Sequence, residues 1–255
     1  MRSFLVALLF LMMAPFAGAQ ETREDIIRSI QRIPLDPVLR ANIRKNGFTG
    51  ERYEIVLANL KRIYGNQAIV GFVTDYYLGL VRDGRPITQP PEDPVDLLMN
   101  RGFSHLSAGQ MRTLLRTDAA ILKSLPQNDC GKLVKGTLPP QTASEKTDRV
   151  LSRLDPAALR AYYDVQYAAA VTGLKHSRPR TLSRAETTRV ENKIFDRFDL
   201  HLNAQKNRDI LYRAWEDPAR ASNRSICAVS QLFLASVLDV QGDDGRLAMI
   251  YFMQD

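Results

Sequence analysis

Residues 155–174 read DPAALRAYYDVQYAAAVTGL. Asp155 followed by Pro156 is a helix start: the carboxylate accepts from first-turn N–H groups, and proline at the first helical position gives up an N–H that has no partner there. Behind it Leu159, Tyr162, Tyr163, Tyr167, Val171 and Leu174 recur mostly at intervals of three and four. That spacing puts apolar side chains on one face of an α-helix, whereas a half-buried strand would alternate.

The same punctuation recurs outward along the chain. Asp36-Pro37, Asp93-Pro94 and Asp217-Pro218 repeat the start, and Ser107 with Gln110 and Ser183 with Glu186 have the capping-box spacing. Leu106 and Met111 fall where a hydrophobic staple would pack, and Gly47, Gly65 and Gly102 follow apolar runs as expected helix stops. Helical spacing also links Ile26, Ile27, Ile30 and Ile33, then Tyr53, Val56, Leu57, Leu60 and Tyr64, and later Val190, Ile194, Phe195 and Phe198. Ile69 to Val73 is the one strand-like run; with no alternating partner nearby it reads as buried helix. The expectation is an all-α, compact multi-helix bundle of about ten helices. Proline-rich connections are expected at Asp83–Pro94 and Gly136–Thr142; the first either divides an N-terminal helical unit (20–82) from a main all-α domain (95–255) or lies within one domain spanning 20–255.

The chain has 255 residues, 45% hydrophobic and 25% charged, which is ample for a core and excludes a disordered or metal-nucleated miniature protein. Arg2, the apolar run Phe4 to Ala14, and Ala17-Gly18-Ala19 have the three parts of a signal peptide, residues 1–19, with cleavage expected near Ala19/Gln20. An apolar run of that length reaches only about 16 Å as a helix, too short to serve as an anchor. The expected address is the periplasm or the medium, with no membrane span. Without Arg2 the net charge is +6, shared evenly between 20–82 and the remainder, so there is no concentrated basic module for nucleic acid.

Cys130 and Cys227 are the two cysteines, and neither belongs to a C-x-x-C pair. In an oxidising compartment they are expected to form a structural disulfide joining a short helix to the early part of a longer apolar one. His105, His176 and His201 are scattered, with no ligand at helical spacing, so no metal site and no cofactor are expected. Serine-elbow and phosphate-loop motifs are also absent from the sequence.

Two candidate sites remain. Glu216 beside Trp215 is a candidate catalytic acid for wall-glycan hydrolysis, because an apolar ring would desolvate the carboxyl; Glu186 reads instead as a capping residue and Glu191 as an exposed helix position. The basic connection Lys175, His176, Arg178, Arg180 and Arg184, with Tyr162, Tyr163 and Tyr167 beside it, is a candidate interaction surface for an acidic partner. Taken together these features favour a secreted, non-enzymatic binding protein, an inhibitor or immunity factor against a toxin or wall-degrading enzyme. The expected partner is another protein, with anionic wall polymer as a second. The alternatives are a peptidoglycan hydrolase using Glu216, or a helical envelope scaffold or adaptor.

Overall fold

The computed structural model describes residues 22–85 and 92–254; the expected leader, 1–19, and part of the first proline-rich connection lie outside them. The described residues form thirteen α-helices and one 3₁₀ turn, with no strand. In order these are α1 (Arg23–Arg32), the 3₁₀ turn (Ile33–Leu35), α2 (Pro37–Lys45), α3 (Gly50–Gly65), α4 (Gln67–Arg82), α5 (Pro94–Phe103) and α6 (Ala108–Ser124). They continue as α7 (Gln127–Val134), α8 (Pro140–Leu151), α9 (Pro156–Gly173), α10 (Arg184–Asn203), α11 (Arg208–Glu216), α12 (Asn223–Asp239) and α13 (Gly242–Gln254).

Local chemistry accounts for most of the boundaries. Asp36, Asp93 and Asp155 each accept first-turn backbone N–H groups ahead of a proline, as the Asp-Pro reading expects. Both expected capping boxes form, at Ser107/Gln110 and Ser183/Glu186, and Thr22 with Asp25 makes a third. Leu106 and Met111 are both buried, and Ile69, Val70 and Val73 sit on the buried face of α4.

Some boundaries differ from expectation. Asp217-Pro218 starts no lasting helix: the Ala221 N–H donates to the Asp217 carbonyl, closing one turn, and Ser222 then caps α12 by accepting from Ser225. Four residues after the proline, a second cap has taken over. Pro140 opens α8 inside the expected connection Gly136–Thr142, since proline suits a first helical position. Gly47 has φ +99° and does end α2, but Gly65 is the last residue of α3 and Gly102 lies within α5.

The chain divides into two compact units. One comprises the described residues of 3–105 together with 151–178; the other comprises 106–150 and those of 179–255. In the first unit α5 lies against α9 with almost no space between the backbones. A Cβ on Gly102 would fall 1.9 Å from the Ala169 carbonyl oxygen, and one on Gly173 would fall 1.9 Å from that of Leu98. The two glycines let α5 join α9 from far along the chain, so 94–105 belongs with 151–178.

In the second unit, Cys130 on α7 and Cys227 on α12 are disulfide-bonded with their Cα atoms 5.4 Å apart. Gly131 makes this approach possible, because a Cβ there would meet the Asn223 carbonyl oxygen at 2.0 Å. Gln231 reaches the bridge from α12, donating to the Leu122 carbonyl at 2.9 Å with its amide nitrogen 3.3 Å from the Cys227 sulfur. The same unit holds an aromatic cluster: Phe195, Phe198, Trp215 and Phe233 pack with centroid separations from 4.6 to 6.5 Å.

Candidate functional site

The first unit contains a cleft of about 360 Å³ between α3 and α9, lined from α3 by Glu51, Glu54, Ile55, Ala58, Asn59 and Arg62 and from α9 by Arg160, Tyr163 and Asp164. The α3 residues recur at helical intervals and form one broad stripe; the α9 residues are an i, i+3, i+4 triplet. Two ion pairs cross the gap, Arg160 to Glu51 at 3.1 Å and Arg62 to Asp164 at 2.5 Å. The Arg62 guanidinium also lies 3.8 Å above the ring of Tyr167, whose hydroxyl accepts from Asn66 at 2.8 Å. Each arginine of the cleft is therefore held in place.

The acceptors are only partly used. Glu54 has no ion-pair partner among the described residues. Asn59 is only 9% exposed, and its Oδ1 is buried with no hydrogen-bond partner. Leaving such an oxygen unpaired costs about 1–3 kcal/mol, so its retention on the cleft wall calls for an explanation beyond packing. Asn59 belongs to the apolar surface of α3, one turn beyond the buried Ile55 and Val56. The cleft thus combines apolar walls (Ile55, Ala58 and the Tyr163 ring) with a carboxylate and an amide oxygen that lack donors.

A second polar group lies where α5 begins in the same unit. The carboxylate of Asp93 caps α5, accepting from Val95 at 2.8 Å and Asp96 at 3.2 Å, and is buried. One oxygen of Asp96, Oδ1, is buried without a partner. Burial raises the pKa of both carboxyls, Asp96 to about 9, with the Asp93 charge adding to the rise. Burial likewise raises Tyr77 and Tyr64 well above their ordinary range, with Asp93 adding to each. Tyr76 donates to the Glu92 carbonyl at 3.0 Å, and Asn100 donates to the Glu92 side chain at 3.0 Å, fixing the edge of the group.

The residues singled out from sequence are distributed as follows. Glu216 is exposed at the end of α11, while the ring of its neighbour Trp215 packs among Phe195, Phe198 and Phe233. Tyr212 donates to Glu216, and the loss of that bond on ionisation raises the tyrosine's pKa. Glu186 completes its capping box and pairs with Arg180 at 2.9 Å, and Glu191 accepts from Tyr251 at 3.0 Å. Lys175, Arg178 and Arg184 are exposed. Lys175 and Arg178 belong to the first unit, Arg180 and Arg184 to the second. Tyr162 and Tyr163 are buried, Tyr163 with an edge in the cleft, and Tyr167 is half-buried beneath Arg62. His176 stacks on His105 at 3.6 Å with the rings nearly parallel, and His105 Nε2 lies 3.3 Å from the Arg178 carbonyl oxygen. No group of His, Cys, Asp or Glu among the described residues has metal-site geometry.

Sequence reasoning missed Glu51, Glu54, Asn59, Arg62, Arg160 and Asp164. The available signal was Asn59, an amide at an apolar-stripe position; the charged residues flanking it look like any solvated helix face. No family model, curated protein or solved structure matches the chain.

Proposed function

We propose that this is a non-enzymatic binding protein of the bacterial envelope, an inhibitor or immunity factor in character, that engages its partner through the α3–α9 cleft. The observation that carries the reading is the Asn59 side chain, a nine-tenths-buried amide with no partner for its oxygen, which lines an open cleft that also holds an uncommitted carboxylate. A binding surface tolerates such a group because the partner supplies the missing donor, so the cost borne by the free protein becomes affinity and specificity in the complex. The Cys130–Cys227 bridge and the leader-like residues 1–19 support an exported setting. No helix among the described residues is long and apolar enough to cross a membrane.

The test is a photo-crosslinking residue at Ala58, in the cleft, compared with one at Lys123, in the other unit, both in the full chain in cells. A single stoichiometric crosslinked partner from position 58 and none from 123 is the expected result. Crosslinking from neither site, together with release of muropeptides from purified peptidoglycan that Glu216→Gln abolishes, would replace this reading with the hydrolase.

A further inference from the structure

The cleft has a charge and hydrogen-bonding polarity that select a ligand class. We infer that it recognises a cationic amine or guanidinium group carried on a short aliphatic chain, an inference that rests on the cleft being the binding site. Three carboxylates against two guanidinium groups leave the lining one negative charge in excess. Both arginines are already satisfied across the gap, by Glu51 and Asp164. An anionic ligand would meet an excess of carboxylate charge, whereas a cation is attracted by it and leaves both pairs intact.

What remains is an acceptor set. The Glu54 carboxylate supplies charge, and the unpartnered Asn59 amide on the cleft wall supplies an oxygen when it turns toward the ligand, in surroundings where a charge-assisted bond is strong. Ile55, Ala58 and the Tyr163 ring provide apolar wall for methylene groups between the ligand's head and the solvent. A volume of about 360 Å³ is ample for a four-carbon chain bearing a charged head. The same chemistry is offered by a lysine or arginine side chain of a partner protein and by a free polyamine.

The experiment is isothermal titration of the full oxidised chain with agmatine, 1,4-diaminobutane and the peptide acetyl-Gly-Lys-Gly-amide. Controls are n-butanol, succinate and the same peptide acetylated on its lysine. Saturable binding by at least one cationic probe and by none of the controls is expected. Glu54→Gln, at an exposed position, should weaken that binding at least tenfold, and Asn59→Leu at least fivefold. Binding of the free amines identifies a small-molecule source; binding of the lysyl peptide alone identifies a partner's side chain. Binding of succinate, or cation binding that Glu54→Gln leaves unchanged, overturns the inference. So does failure of every cationic probe, and if position 58 still crosslinks a partner in cells, the cleft remains the binding site while its cation selectivity is refuted.

Discussion

The two units are both helical and meet their polar requirements in opposite ways. In the unit formed by 106–150 and 179–254, a disulfide joins α7 to α12 and four aromatic rings pack about α10, α11 and α12. In the unit formed by 22–105 and 151–178 the described residues include no disulfide. Helix contact there depends on Gly102 and Gly173, and the buried set includes the raised pair Asp93 and Asp96. Of the four buried side-chain atoms without partners among the described residues, Asn59 Oδ1, Asp96 Oδ1 and Gln166 Nε2 belong to this unit; Thr147 Oγ1 belongs to the other. The disulfide lies in one unit and three of the four unpaired atoms in the other, the distribution expected where function works against stability.

The largest effect should come from removing the bridge. On the chain-entropy model a crosslink closing a 97-residue separation contributes up to about 4–5 kcal/mol. The double substitution Cys130→Ser, Cys227→Ser should therefore lower Tm by up to about 8–20 °C while the helical circular-dichroism signal at room temperature is kept. Hydrogen exchange should accelerate chiefly in α7 and α12; equal acceleration in both units would erase the contrast between them.

Next in size is Gly102→Ala. The added carbon collides with backbone on α9, which cannot turn aside as a side chain would, so a loss of about 3 kcal/mol is expected. At roughly 2–4 °C per kcal/mol for a chain of this size, calorimetry should record a fall of about 6–12 °C. An unchanged Tm would mean that α5 and α9 are not in backbone contact.

The fold was legible because helix starts are written in local chemistry. Asp155-Pro156 and the Ser183/Glu186 box need only a few neighbours to act, so their sequence spacing carries over directly into structure. The Cys130–Cys227 bond was legible for a different reason: with two cysteines there is one pairing. The extra helices were not. Pro139-Pro140 reads equally as a linker or as a helix start, and the residues that follow, which settle the matter, have a weak apolar stripe. Gly102 looked like a stop because nothing near it in sequence reveals α9, which arrives from residues 156–173. The cleft failed to show for the same reason: Glu51 and Arg160 are 109 positions apart, and each alone is an ordinary surface charge.

A smaller effect, dependent on pH, should come from the paired carboxyls of the unit that holds the cleft. Asp93 and Asp96 have folded-state pKa values raised above the ordinary 3.8, so between about pH 4 and 9 the native state holds more protons than the unfolded state. Stability is then lost as pH rises through that window. Asp96→Asn, which keeps the shape and removes the ionisation, should flatten the fall and raise Tm by a few degrees at pH 8. A pH–Tm curve identical to that of the unsubstituted protein would show that Asp96 is hydrated and ordinary.

The smallest expected change is Asn59→Leu, which removes the unpaired amide and should gain about 1 kcal/mol in denaturant unfolding. A loss of that size instead would mean that the amide is satisfied in the free protein, and the argument for the cleft would lose its basis.

The central claim, that the unit with unsatisfied polar groups is the one that binds, is tested most directly by hydrogen–deuterium exchange of the full oxidised chain with and without saturating agmatine. The account predicts slowed exchange in peptides covering 51–66 and 156–173, with 106–150 and 179–254 unchanged. Protection confined to the disulfide-bonded unit, or no protection anywhere, would contradict it.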